Sequence, residues 1–176
     1  MIIQFCGLSG SGKTTIATLV KELMAAENIP VEIIDGDEYR KVLCADLGFS
    51  MADRHTNIRR LAFVAGKLSS YNIVTIICAI NPYEAIRREV ASTYDQVKTV
   101  YIECGMAELM RRDTKGLYKK AMLPEGHPER VSNLTGVNDP FDFPTAPDMV
   151  IHSDMETPME SAKKLADLIL SYYKRP

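Results

Sequence analysis

Nine consecutive residues, Gly7-Leu8-Ser9-Gly10-Ser11-Gly12-Lys13-Thr14-Thr15, fill every fixed position of the phosphate-binding pattern G-x-x-x-x-G-K-[ST]. The chemistry this spacing supports is the grip on a triphosphate. Glycines at Gly7, Gly10 and Gly12 let the backbone fold around an anion with several N–H groups pointing inward. Lys13 is long enough to reach β- and γ-phosphates, and the Thr14 hydroxyl suits Mg²⁺. Ser9, Ser11 and Thr15 complete the cradle.

A second group of reactive types lies in Asp35-Gly36-Asp37. A carboxylate beside a hydroxyl acceptor takes up its proton or holds a metal ion. A third is the late basic segment Arg111-Arg112-Asp113 with Lys115, suited to neutralising phosphate charge. No Asn-Lys-x-Asp guanine-reading sequence is present, and the chain is short. Together these features favour a small-molecule kinase over a GTPase or a motor ATPase.

The elements that must position these groups follow from periodicity. Ile2-Ile3-Gln4-Phe5-Cys6 reads as a buried strand entering the loop, and residues 16–27 as the helix leaving it. The helix N-terminus adds favourable partial charge for an anion. Val31 to Ile34 is a second strand ending at the paired acids, as expected of ligand groups at the carboxyl ends of strands. Residues 38–47 read as a short helix with Tyr39, Val42 and Leu43 as its apolar side, and 53–70 as a longer one with a stripe of Ile58, Leu61, Ala62, Ala65 and Leu68. The run from Ile73 to Ile80 is almost continuously apolar, which fits a strand covered on both faces. A helix over 83–92, a strand over 97–104, a helix from 106 to 112, a strand over 149–152 and a helix over 161–173 complete the alternation. The expected fold is therefore a three-layer α/β P-loop architecture with a mainly parallel sheet, in one domain spanning 1–176. Residues 113–147 hold five of the nine prolines and no long periodicity, so a lid is expected there.

A net charge of −2 and a pI near 5.9 leave no global basic footprint, so nucleic acid is not an expected partner. No apolar run approaches the ~18 residues of a membrane span, and the first residues lack the form of a secretory leader. Cys6, Cys44, Cys78 and Cys104 show no C-x-x-C pairing and are expected to be reduced thiols in a cytoplasmic protein.

These motifs resemble the adenylylsulfate kinases over nearly the whole chain. Besides the phosphate loop, the resemblance rests on Asp35-Gly36-Asp37 with Arg40, Leu47-Gly48-Phe49-Ser50, Asp53-Arg54, Asn57-Ile58-Arg59-Arg60, Ile80-Asn81-Pro82-Tyr83, Arg112-Asp113-x-Lys115-Gly116-Leu117-Tyr118-Lys119-Lys120-Ala121 and Thr135-Gly136-Val137 with Asp139-Pro140-Phe141. It implies transfer of the γ-phosphate of ATP, with Mg²⁺, to the 3′-hydroxyl of adenylylsulfate. Lys13 and the loop would hold ATP, Thr14 and Asp35 would serve the metal, and Arg112 would lie over the ATP adenine. Asp35 would act at the acceptor hydroxyl as general base or through Mg²⁺, with Asp37 supporting it. Arg40, Arg54 and Asn57 would hold the acceptor's charged and nucleotide groups, Phe49 would stack on its base, Ile80 and Asn81 would line its pocket, and Lys115 would reach it from the lid. The resemblance also implies a homodimer. On residue type alone, Asp37 equally suits a helix cap, Arg54 and Arg60 a solvated helix face, and Phe49 a core position.

Three positions depart from the family pattern. Asn81 replaces a serine proposed to carry phosphate, so direct in-line transfer is the route expected. Leu134 replaces a phenylalanine of the adenine clamp, and residues 122–133 form a longer lid segment. All three lie around the acceptor. They keep a second acceptor in view, another activated nucleotide with a smaller base. A non-catalytic nucleotide-binding module is the alternative of another class.

Overall fold

The computed structural model describes residues 1–173. Five parallel strands form one sheet: β1 (Ile2–Cys6), β2 (Val31–Asp35), β3 (Val74–Cys78), β4 (Val97–Glu103) and β5 (Met149–His152), in the order β2-β3-β1-β4-β5. The helices are α1 (Lys13–Ala26), α2 (Gly36–Tyr39), α3 (Met51–Ser69), α4 (Glu84–Thr93), α5 (Met106–Arg112), α6 (Leu117–Ala121) and α7 (Pro158–Tyr173). β1 and β3 are buried at every residue, as their largely apolar runs require in a sheet covered on both faces, and Gln4 and Thr75 are buried with them.

The period of two along each strand divides the core. Ile3, Phe5, Ile76 and Ile102 face α1 and α7, where Ile16, Val20, Leu165 and Ile169 meet them. Ile2, Ile34 and Ile77 point the other way, onto the α3 stripe of Ile58, Leu61, Ala62 and Ala65 and onto Ile86 and Val90 of α4. A smaller cluster of Leu109, Tyr118, Ala121 and Leu134 ties the region after α5 to the body. The four cysteines are free thiols, and Cys6, Cys44 and Cys78 are buried.

Two local expectations need correction. The helix expected over 38–47 is a single turn, Gly36–Tyr39, followed by tight turns closed by Lys41 N→Glu38 O, Val42 N→Tyr39 O and Leu47 N→Cys44 O bonds. No layer covers this stretch on the outside. Val42 is 85% exposed and Leu43 is exposed too, so of the expected apolar side only Tyr39 packs against the core, and Cys44 turns inward instead. The Arg60 guanidinium holds the turns in place, donating to Leu43 O at 2.9 Å and pairing with Asp46. Secondly, α6 falls inside the irregular segment. The Asp113 carboxylate starts it by accepting from the amides of Tyr118 and Lys119 at 3.1 and 3.0 Å. Among the described residues no helix is long and apolar enough to cross a membrane.

Candidate active site

The carboxyl ends of β1, β2 and β3 open into a cavity of about 750 Å³, and the sequence-defined loop forms its floor. The loop conformation needs glycine where the helix begins: Gly12 caps α1 with φ +91°, a left-handed backbone that side chains disfavour. The Gly7 amide donates to Ile80 O at 3.1 Å, which ties the loop to the end of β3. Tyr118 O–H donates to Ser9 O at 2.8 Å from behind. The Lys13 ammonium lies over the loop, donating to Gly7 O at 2.9 Å, Leu8 O at 2.7 Å and Ser11 Oγ at 3.3 Å. Burial pushes its pKa down to about 8, because the charged form loses water there.

Thr14 and Asp35 meet directly: Thr14 Oγ1 donates to Asp35 Oδ2 at 3.0 Å. The other carboxylate oxygen of Asp35 accepts from the Asp37 and Glu38 amides at 2.9 and 3.3 Å. Asp35, rather than Asp37, therefore caps α2. Asp37 is free to point across the opening, where it pairs with Lys115. A hydroxyl and a carboxylate brought together beside a phosphate loop form the hard-oxygen donor set that Mg²⁺ prefers.

At one end the wall is made by Phe49, Arg54, Asn133, Leu134 and Thr135. Ser50 caps α3 with a reciprocal box to Asp53, which fixes the turn carrying Phe49. Phe49 is 53% exposed, so it is no core residue. Its ring lies 4.6 Å from the Arg40 guanidinium carbon and 5.6 Å from that of Arg54. Arg40 also donates to Gly48 O at 2.9 Å. Burial and the neighbouring Arg54 charge lower the pKa of Arg40. Two cations around one exposed aromatic ring suit a planar base carrying an anionic tail.

Arg54 itself is buried rather than part of a solvated helix face, whereas Arg60 stays on the surface in its pair with Asp46. Asn57 and Asn81 are buried behind the wall rather than in it. The Asn57 side-chain oxygen has no protein hydrogen-bond partner. Asn81 has φ +47°, a left-handed conformation that asparagine tolerates well. Its side-chain amide turns inward to Gln4 Oε1 at 3.2 Å, and its carbonyl accepts from Arg87 Nη1 at 2.6 Å.

The other end is walled by Arg112, Ser153, Glu156, Pro158 and Ser161. Arg112 is oriented by Glu108 at 2.8 Å and by Ser153 O at 2.6 Å. The Glu108 carboxyl is held down to about 2 by Arg111 and Arg112. Sequence reasoning missed the wall residues after β5, although their place at a strand's carboxyl end was the available signal. It also missed Val131 and Asn133, which carry no chemical mark beyond their irregular segment, and Thr135, whose place in the Thr135-Gly136-Val137 motif was the available signal.

Comparison with known proteins agrees with this geometry. The family model for adenylylsulphate kinase matches residues 1–152. The adenylyl-sulfate kinase of Deinococcus deserti is 39% identical over 166 residues, covering 94% of this chain and 89% of that protein. The Mycobacterium tuberculosis APS kinase CysC, solved in complex with AMPPNP and APS, superposes with a TM-score of 0.87 at 36% identity, covering 96% of each chain. Shikimate kinase from Aquifex aeolicus, with a TM-score of 0.52 at 17% identity, shares the fold alone. With identity of this level across nearly its full length, on top of a complete phosphate loop and its paired acids, the chain belongs to the adenylylsulfate kinase family.

Proposed function

We infer that the chain is an ATP-dependent kinase that phosphorylates the 3′-hydroxyl of adenylylsulfate, giving 3′-phosphoadenylylsulfate and ADP. The observation that carries this reading is the two-ended cavity. Its floor is a triphosphate cradle, and one end presents an exposed aromatic ring flanked by two guanidiniums. The Mycobacterium tuberculosis relative solved with AMPPNP and APS supports assigning the two ends to donor and acceptor.

In this reading the loop amides and Lys13 bind the ATP phosphates, and the Arg112 end takes the adenine. Thr14 and Asp35 would hold Mg²⁺, which would supply charge neutralisation for phosphoryl transfer. Phe49 and Leu134 hold the acceptor base, Arg40 draws its anionic tail, and Arg54 adds positive charge beside the Phe49 ring rather than a bidentate grip. Asp37 and Lys115 bracket the opening between them. Residues 113–147 act as the lid over a single P-loop kinase domain, excluding water so that the phosphoryl group goes to the ribose hydroxyl. Asn81 is buried with its side chain turned to Gln4, so transfer is direct and in line rather than through a phosphorylated residue at that position. The working form we propose is a cytoplasmic homodimer.

The test is a coupled ADP-release assay with ATP, Mg²⁺ and adenylylsulfate, run beside a panel of other nucleotide conjugates. Turnover with adenylylsulfate above the panel is the expected result. Faster turnover with a pyrimidine conjugate would overturn the acceptor assignment. ATP binding without turnover of any acceptor would indicate a non-catalytic nucleotide-binding module.

A further inference from the structure

Arg54 does more in this fold than face a ligand. Its Nε donates to Phe49 O at 3.0 Å and its Nη2 to Asn133 O at 2.9 Å. The same Nη2 lies 2.9 Å from Asp139 Oδ2, with the Arg54 side chain only 8% exposed and that of Asp139 21%. One guanidinium therefore joins the Phe49 turn to the loop that carries Leu134, and both residues wall the acceptor end of the cavity. With Nε and Nη2 committed to the protein, the edge of Arg54 that joins them is not free for a bidentate grip on an anion.

The loop that holds Asp139 is tightly self-bonded. Leu134 O accepts from the amides of Val137, Asn138 and Asp139, and Gly136 N donates to Asp139 O at 2.7 Å. The Asn138 side chain spans the loop, accepting from Leu134 N at 2.7 Å and donating to Val131 O at 2.8 Å. Gly136, at φ +84°, packs against Leu8 of the phosphate loop so closely that a Cβ there would lie 2.7 Å from Leu8 Cδ2. Leu134 thus has a fixed place relative to Asp139. The relation of this rigid loop to Phe49 runs through Arg54, which the Asp139 carboxylate and Asn133 O hold from the loop side.

We infer that Asp139 is a positioning residue for the acceptor: its carboxylate fixes Arg54 so that the Phe49 and Leu134 walls stand at the separation a planar base needs. The role rests on the adenylylsulfate reading above. A buried guanidinium that loses its carboxylate is left with uncompensated charge. It then turns to solvent or to the acceptor's anionic tail, and the two walls lose their common anchor. The Arg112 end makes none of these contacts, and the phosphate loop meets the Asp139 loop through Leu8 against Gly136 rather than through the carboxylate, so the effect falls mainly on the acceptor.

Steady-state kinetics of wild type, Asp139→Asn and Asp139→Glu, each with its thermal unfolding midpoint, test this. Asp139→Asn keeps the shape and removes the charge, and it should raise KM for adenylylsulfate about 10- to 100-fold while KM for ATP stays within about twofold. Asp139→Glu restores the charge and should recover part of the lost acceptor affinity. If Asp139→Asn does not fold, the Glu variant decides: its displaced carboxylate should raise KM for adenylylsulfate and leave KM for ATP in place. An unchanged KM for adenylylsulfate, or equal rises for both substrates, would overturn the role and leave the proposed function standing. A wild-type chain that does not turn over adenylylsulfate would overturn that function and this role with it.

Discussion

Lys13 is the side chain whose protonation the fold alters most usefully for binding. Its pKa near 8 arises from burial over the loop, so the unliganded chain begins to lose this charge just above neutral pH. Triphosphate pairs with the ammonium, so binding above pH 8 must recruit a proton. ATP affinity should therefore hold up to about pH 8 and then fall, by at most about tenfold per pH unit. Calorimetric titrations in buffers of different ionisation enthalpy should show proton uptake at pH 9 and little at pH 7. Flat affinity from pH 7 to 9.5 with no uptake would show that Lys13 stays charged throughout. Asp35 makes a second residue-scale case. The Asp35→Ala change removes the carboxylate that accepts from Thr14, and should reduce transfer by about 10³-fold or more while metal-free ATP binding is retained. Single-turnover kinetics beside equilibrium ATP binding separate the two effects; unchanged turnover would sink the assignment.

Among the elements, α3 supplies Arg54 to the proposed acceptor end, and the turn that enters it supplies Phe49. Its stripe of Ile58, Leu61, Ala62 and Ala65 docks it on the sheet, and its first turns aim Arg54 and Asn57 inward. The Ser50–Asp53 box begins this helix and anchors the Phe49 turn at the same point. Ser50→Ala should cost about 1 kcal/mol of stability, a fall of roughly 2–4 °C in Tm for a chain of this size. It should also raise KM for adenylylsulfate more than KM for ATP, because the loosened turn serves only the acceptor. Calorimetry with kinetics checks both, and equal KM changes would detach Ser50 from acceptor binding. The stripe on α3 was legible because burial imposes the helical period on sequence. The short α2 was not. Nothing in residues 38–47 reveals that no layer lies outside them, and an apolar side has meaning only against a partner.

On the scale of the molecule, the parallel sheet gathers distant residues at one edge. β1 delivers the phosphate loop, β2 delivers Asp35, and the segment after β5 delivers Ser153 and Glu156, all to one cavity. Ligands that bridge its two ends should stabilise the whole chain by mass action. A non-hydrolysable ATP analogue at 100 times its Kd adds about 2.7 kcal/mol, and addition of adenylylsulfate should raise Tm further. Thermal unfolding with each ligand alone and with both together tests whether the ends form one site; no added shift from the second ligand would argue against it. The sequence by itself determined the strand–loop–helix of the phosphate cradle, the buried strands and the acids after β2, because each rests on local periodicity or fixed motif spacing. Only the tertiary structure decided which acid caps α2, that Arg54 is spent on Phe49, Asn133 and Asp139, and that Asn81 faces Gln4. The Asn81 and Arg54 outcomes depend on partners distant in sequence, Gln4 77 positions from Asn81 and Asn133 79 positions from Arg54 with Asp139 farther still, and no local pattern encodes which partner a buried polar group will meet.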